Sequence, residues 1–359
     1  MSDPASIAVP LPRRYSVGKI LRGFVGPTPI SILNYSAPEM FATLTRVVSS
    51  ASIDIAQVEA VHMLPYLPVL RTSKSNPTVV CDWHCFDSEI MHRFARRCPN
   101  PAKRLYARRT AILLERAEFQ IANMCDLHLV VSEREKRMVE ALTSRVPVHV
   151  VPNGINCSDY ERPLDEKMPV GGPKRLVFVG TMDYQANIEG VLWLAKSVMP
   201  ALLSRFSDLQ LVIVGRNPAP EILRLKSGTI HVVGTVDDVR PYYQGAFAAV
   251  VPLHVGSGTR IKILEAMAAF TPVVSTILGA EGLSIIPGEH YLAADSVEQW
   301  VSSISNLVEN PTLWRRLSYQ ARSLVEHTYD WSVIGNNLRK IYEGVIDARQ
   351  RAMIAGARV

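Results

Sequence analysis

Short apolar runs rich in β-branched residues alternate along this chain with longer stretches whose apolar positions recur every three to four residues. That alternation predicts β–α units around parallel sheets, an α/β fold. Residues 53–58 (Ile-Asp-Ile-Ala-Gln-Val), 78–81 (Thr-Val-Val-Cys), 127–131 (Leu-His-Leu-Val-Val) and 148–151 (Val-His-Val-Val) read as strands. Residues 101–124 read as one long helix, with Leu105, Ile112, Leu113 and Ile121 among its apolar positions. Pro152-Asn153-Gly154 is a turn signal, and residues 163–174, with three prolines and two glycines, read as a linker. A second series of strands follows at 175–179, 210–214, 230–233, 247–251 and 272–275, with helices at 188–204, 260–269 and 296–308. The expected organisation is an N-terminal domain over 1–160, a C-terminal domain over 161–340 and a C-terminal helix or tail over 341–359.

Composition narrows the class. Of 359 residues, 48% are hydrophobic and 20% charged, the balance of a globular protein. No uninterrupted apolar stretch approaches the roughly 18 residues of a spanning helix. The opening Met1-Ser2-Asp3-Pro4 lacks a basic segment followed by an apolar core, so a cytoplasmic chain is expected, soluble or peripheral on the inner face of the membrane. The five cysteines (Cys81, Cys85, Cys98, Cys125, Cys157) are an odd number and point to free thiols in a reducing compartment. Net charge is +6, and residues 1–150 hold all of it, with 19 Lys and Arg against 13 Asp and Glu. Much of the excess lies in 93–116, a segment suited to an anionic membrane, a phosphorylated substrate or simple solvation as a helix face. No aromatic–basic interleaving supports nucleic-acid binding.

The chemistry concentrates in residues 252–276, which read as strand, glycine-rich loop, helix and strand. In open α/β sheets ligands bind outside the carboxyl ends of strands, and Gly180, Gly215 and the loop 252–259 all fall at such ends. Gly256 and Gly258 permit close backbone approach, and a helix beginning near Thr259 offers free N–H groups and a dipole suited to phosphate. Arg260 and Lys262 add positive charge at that end, where a cation is unfavourable unless an anion offsets it. Glu265 can accept two hydrogen bonds from vicinal hydroxyls. On residue types alone such a loop can also be a plain turn, and Glu265 an exposed helix residue.

The segment Gly256-Ser257-Gly258-Thr259-Arg260-Ile261-Lys262-Ile263-Leu264-Glu265-Ala266-Met267 resembles the donor-binding signature of the retaining glycosyltransferases of family 4. Further motifs are similar in order and spacing: Val151-Pro152-Asn153-Gly154-Ile155-Asn156, Phe178-Val179-Gly180-Thr181 with Asn187, Val214-Gly215-Arg216, Gly234-Thr235-Val236-Asp237, Gly279-Ala280-Glu281-Gly282 and Tyr329-Asp330-Trp331. The resemblance implies a GT-B fold, two Rossmann-like doubly wound domains facing a cleft. It implies donor contacts from Gly180, Thr181, Arg216, Val236, Gly256, Ser257, Gly258, Thr259, Arg260, Lys262, Leu264 and Glu265, with the loop on the diphosphate and Glu265 on the ribose. It also implies a nucleoside diphosphate sugar as co-substrate and no required metal or cofactor. The acceptor would be a glycan, a lipid-linked sugar or a small molecule, with peripheral membrane contact through 93–116.

Departures sit beside these matches. Ser257 stands where many relatives carry an acidic residue, and Thr181 and Asn187 stand where many carry Arg and Lys. Asp82-Trp83-His84-Cys85-Phe86-Asp87 resembles the family segment whose histidine faces the transferred sugar, making His84 the candidate catalytic residue; the other reading is a histidine packed at a strand end. Cys81, His84, Cys85 and Cys98 lack the paired spacing of a zinc site. Ser132-Glu133-Arg134 resembles a family turn and equally suits a plain helix cap. Residues 1–50 hold no β–glycine loop–α pattern, so the N-terminal domain reads as incomplete by about one β-α-β unit. Two functions follow: a retaining glycosyltransferase, or a non-catalytic or truncated GT-B protein that binds a nucleotide sugar or scaffolds a partner transferase.

Overall fold

The computed structural model describes residues 6–10, 16–160, 172–255 and 260–356. The chain forms two compact units, Met1–Val151 with Arg339–Val359, and Pro152–Leu338.

The first unit opens with three helices, α1 (Val17–Val25), α2 (Ile30–Tyr35) and α3 (Pro38–Ser50). Four strands follow, β1 (Ile55–Glu59), β2 (Thr78–Trp83), β3 (Leu127–Val130) and β4 (Val148–Val150), in a parallel sheet of order β1-β2-β3-β4. The connecting helices are α4 (Leu67–Arg71), α5 (Asp87–Arg97), α6 (Pro101–Met124) and α7 (Glu133–Leu142). Among the described residues no strand precedes Ile55, and residues 17–50 are largely helical.

Helix α6 starts where Asn100 accepts a hydrogen bond from the Lys103 amide (3.0 Å) and Pro101 supplies a preset first position. At 100° per residue its buried stripe runs through Ala107, Ala111, Leu114, Ala117 and Ile121. Leu113 is buried as well, but Leu105 and Ile112, seven residues apart on the other side, face solvent. Helix α7 is capped by the Ser132 hydroxyl, which accepts from the Glu135 amide (3.3 Å), as the plain reading of that turn expects. All five cysteines are unpaired thiols.

The second unit contains β5 (Arg175–Val179), α8 (Gln185–Trp193), a π-helical turn at Leu194–Val198, α9 (Met199–Arg205), β6 (Gln210–Val214), α10 (Pro220–Leu223), β7 (Ile230–Gly234), α11 (Arg240–Gln244), β8 (Ala248–Val251), α12 (Ile261–Ala268), β9 (Val273–Ser275), β10 (Leu292–Ala293), α13 (Val297–Glu309) and α14 (Pro311–Leu324). All six strands are parallel, in the order β10-β9-β8-β5-β6-β7. This is the doubly wound arrangement, with the chain reversing direction across the sheet between β5 and β8. Alternate residues serve the two faces: Leu176, Phe178, Leu211 and Ile213 join one core, Val177, Val212, Val214 and Val251 the other.

The last helix, α15 (Trp331–Gly356), belongs to both units. The expected border at 160/161 lies instead at Val151/Pro152, because the next residues are stitched to the start of α15. The Ile155 amide donates to the Tyr329 carbonyl (2.8 Å), the Trp331 amide to the Ile155 carbonyl (3.1 Å), and the Cys157 amide to the Asp330 carboxylate (3.0 Å). The expected separate tail is part of the first unit: Tyr342 donates to the Gln57 side chain, and Arg349 to the carbonyls of Asp54 (2.7 Å) and Ser75. Most of the linker expected at 163–174 lies outside the described residues.

Candidate functional site

The strand order reverses between β5 and β8, the place at which open α/β sheets bind ligands beyond the carboxyl ends of their strands, and the backbone there approaches closely. The Gly180 amide donates to the Val214 carbonyl (3.0 Å) and the Gly215 amide to the Gly234 carbonyl (2.9 Å), extending the ladder past the strand ends. Gly215 has φ +155°, and a Cβ there would lie 1.7 Å from the Gly180 carbonyl oxygen. A Cβ on Gly180 would lie 2.8 Å from both the Asn187 side-chain amide and the Lys262 ammonium. The two glycines therefore clear space for Lys262 to reach across from the first turn of α12.

Lys262 donates to Asn187 Oδ1 (3.0 Å), and its Nζ sits 4.3 Å from the centre of the Phe178 ring. Asn187 is oriented in turn by donating from Nδ2 to the Thr181 carbonyl (2.8 Å). Burial, reinforced by the neighbouring Arg260 charge and opposed by Glu265, pushes the Lys262 amine down to about 7. Sequence reasoning saw Asn187 only as a replacement for a basic residue; here it is the side chain that aims one. Phe178, a face for the ammonium, lay in a strand whose orientation the sequence does not disclose.

Glu265, one turn further along α12, is not the exposed helix residue of the alternative reading. Its Oε1 accepts from the Tyr160 hydroxyl (3.3 Å) and its Oε2 from the Tyr243 hydroxyl (3.0 Å). A carboxylate has about four acceptor positions, so this grip leaves capacity for a ligand's hydroxyls while fixing the group's direction. Burial and the Glu265 charge raise both phenols well above their ordinary 10.0, which keeps them as donors. The tyrosines arrive from the stretch after β4 and from α11, far away in sequence, and no local signal announced them.

The other candidates separate into groups. Gly256, Ser257, Gly258 and Thr259 lie outside the described residues. Arg260 is the buried N-cap of α12, whose described start is Ile261, and its own side chain makes no capping hydrogen bond. Leu264 is a correction: its side chain is fully buried in the core, because on α12 it shares the inward face with Ile263 and Met267, so only its backbone can meet a ligand. Arg216 is exposed, its carbonyl held by the Met182 amide (2.9 Å), and Val236 is half-buried against the core.

His84 stands apart, in the first unit beyond β2. Its Nε2 lies 2.6 Å from Glu59 Oε2, with both side chains largely exposed, so it is not packed in the core at a strand end. Glu59 and Asp82 are register partners on β1 and β2, and Gln57 donates to both (2.8 and 3.1 Å). Burial and Glu59 push the Asp82 carboxyl up to about 6, against the opposing pull of His84. The strand register that joins these groups could not be read from the sequence.

Two parallel α/β units, the second with Lys262 and Glu265 gathered at its switch point, have the architecture of the GT-B fold. Residues 7–159 match the model described as Glycosyltransferase Family 4, and residues 173–310 that described as Glycosyl transferases group 1. Over these two segments the chain is similar to glycosyltransferases of the family-4 type. It is 29% identical over 216 residues to a phosphatidyl-myo-inositol mannosyltransferase of Mycolicibacterium smegmatis, covering 58% of this chain and 54% of the relative. The chain spans about half the length of the curated relatives it matches. Similar solved structures include a sucrose-phosphate synthase from Thermosynechococcus elongatus (TM-score 0.64, 20% identity, 88% of this chain and 82% of that one). Another is HepE of Anabaena in complex with UDP (TM-score 0.65, 12% identity, 85% and 82%).

Proposed function

We propose that the chain transfers a sugar from a nucleoside diphosphate sugar to an acceptor hydroxyl with retention at the anomeric carbon. The observation that carries this reading is the joint placement of Lys262 and Glu265 on one helix beside the switch point, each oriented by partners from other elements. In this reading Lys262, Arg260 and the α12 N-terminus meet the diphosphate, while Glu265 accepts from the ribose hydroxyls. The bond from the anomeric carbon to the donor's phosphate oxygen breaks and a bond to the acceptor oxygen forms. The acceptor proton leaves with the diphosphate. Positive charge stabilises the leaving group, so transfer proceeds without a required metal and survives EDTA.

Binding of UDP, GDP, ADP and dTDP, followed by thermal shift and calorimetry, tests this. One base should stand out, with a gain of about 2.7 kcal/mol at a hundredfold excess over its Kd. Lys262→Ala should weaken the diphosphate at least about tenfold more than the nucleoside, and Glu265→Ala should weaken both, with the fold retained. Equal losses from Lys262→Ala would remove the phosphate role. The helical residues 17–50, in place of an opening strand and glycine loop, favour a second reading: a donor-binding protein without transfer. Tight nucleotide binding with neither hydrolysis nor transfer of the sugar would select it.

A further inference from the structure

Helix α11 has five residues and so spans about 7 Å, whereas β5, β6 and β7 are five-residue strands that span about 16 Å. So short a helix leaves part of that sheet face uncovered, and a cleft of 440 Å³ lies there, towards the amino ends of the strands. Strand register sets its floor. Arg175 pairs with Gln210 and Val177 with Val212 between β5 and β6, and Val212 pairs with His231 between β6 and β7. Alternate residues share a face, so Val177 and Val212 form an apolar floor with Arg175, Gln210 and His231 around it. Pro241 and Tyr242 of α11 make the wall. Among the described residues, the side chains of Arg175, Gln210, His231 and Tyr242 have no hydrogen-bond or ion-pair partner, and no Asp or Glu lines the cleft. The neighbouring Lys174, by contrast, is ion-paired with Asp208 (3.3 Å).

Chemistry decides the occupant. A guanidinium left without a carboxylate presents its planar fork to a phosphate, and the imidazole two strands away, about 10 Å across the sheet, adds a further donor. The valine floor and the Pro241 and Tyr242 wall suit a flat apolar ring, while the hydroxyl donors of a sugar would find no carboxylate here. We propose that the cleft is an effector site for small aromatic phosphate monoesters, with Arg175 on the phosphate and the ring over Val177 and Val212. It lies at the opposite ends of the strands from Gly180 and Gly215, so it is separate from the donor site. Helix α11 joins the two, since Tyr242 lines the cleft and the next residue, Tyr243, donates to Glu265 (3.0 Å). A ligand packed on Pro241 and Tyr242 holds α11 where Tyr243 grips Glu265. Effector and nucleotide therefore strengthen each other's binding, by the same factor in both directions. The site stands without the proposed donor reading, and only the coupling rests on it.

Calorimetry of the full chain with phenyl phosphate tests the site, with inorganic phosphate and phenol as the two halves of the probe. Phenyl phosphate should bind at least about tenfold more tightly than either half. Arg175→Ala and His231→Ala, both at exposed positions, should weaken it, the arginine change by about tenfold or more, and leave nucleotide affinity measured without phenyl phosphate unchanged. Lys262→Ala should leave phenyl phosphate binding as it was. Saturating phenyl phosphate should tighten nucleotide binding by about fivefold or more, and Tyr243→Phe should abolish that gain. The absence of binding at millimolar phenyl phosphate would overturn the site, as would binding that Lys262→Ala removes and Arg175→Ala spares. Nucleotide affinity indifferent to phenyl phosphate would overturn the effector role. A chain that binds phenyl phosphate through Arg175 but binds no nucleotide would support the site and count against the donor reading alone.

Discussion

Lys262 titrates near an ordinary 10.5 in the unfolded chain and near 7 in the folded one. Between those values the unfolded chain keeps a proton that the folded chain has shed. Stability of the ligand-free protein should therefore rise as pH climbs from about 7 towards 10.5, and a buried cation costs stability below that window. A bound diphosphate reverses the preference by holding the proton on the amine. Binding of a nucleotide sugar, whose phosphates do not titrate near neutrality, should then take up a proton above pH 7, and affinity should fall towards about tenfold per pH unit. Calorimetry in buffers of different ionisation enthalpy measures that uptake, and Lys262→Met should flatten both profiles. An uptake that persists in Lys262→Met would mean another group carries it. The residue types on α12 were legible in the sequence because they follow one another along a single helix. The partners that aim them were not: Asn187, Tyr160 and Tyr243 converge through tertiary packing, and Leu264 shows that a motif position can be spent on the core.

At the scale of elements, strands and helices were legible wherever burial was complete and the period unbroken. β5 and β6 run over the residues that their apolar runs mark, as does α6, which its cap and proline delimit. The periodicity of α6 misled on facing, because Leu105 and Ile112 belong to a second apolar stripe, and a period alone does not say which stripe meets the core. Gly215 shows how a single position can hold an element junction. Any side chain there would push β6 away from the turn after β5, since Gly180 is tied to the end of β6 by its amide, which donates to the Val214 carbonyl. Gly215→Ala should therefore cost about 3 kcal/mol, the upper range for overpacking, and disturb the Gly180 turn beneath Lys262. Gly180→Ala should differ in kind. Its neighbours are the ends of flexible side chains, so it should displace Lys262 and weaken diphosphate binding with little loss of stability. Thermal unfolding set beside nucleotide affinity separates the two outcomes.

Over the whole molecule, the division of the chain is not the division of the sequence. A linear reading places the last residues after the second domain as a tail, because nothing local in α15 says where its far half packs. Yet the chain crosses back at Arg339, and the far half of α15 completes the first unit. Arg349 donates to two backbone carbonyls, Asp54 before β1, which also accepts from the Thr78 amide, and Ser75 before β2, and Tyr342 fixes Gln57 between Glu59 and Asp82. These contacts tie the amino ends of the first two strands and the acidic pair at their far ends to one helix. Burial and the charges of Asp82 and Glu59 push the Tyr342 phenol up to about 12, so it remains a donor at every pH at which the protein is studied. Arg349→Ala should destabilise the first unit by about 1–2 kcal/mol, and removal of residues 339–359 should open it to proteolysis between Ile55 and Trp83. Nucleotide binding should persist in both variants, since Lys262, Glu265 and their partners all lie within Pro152–Leu338. Loss of nucleotide affinity on truncation would instead make the donor site depend on the first unit, and digestion patterns read beside calorimetry of the same samples distinguish these results.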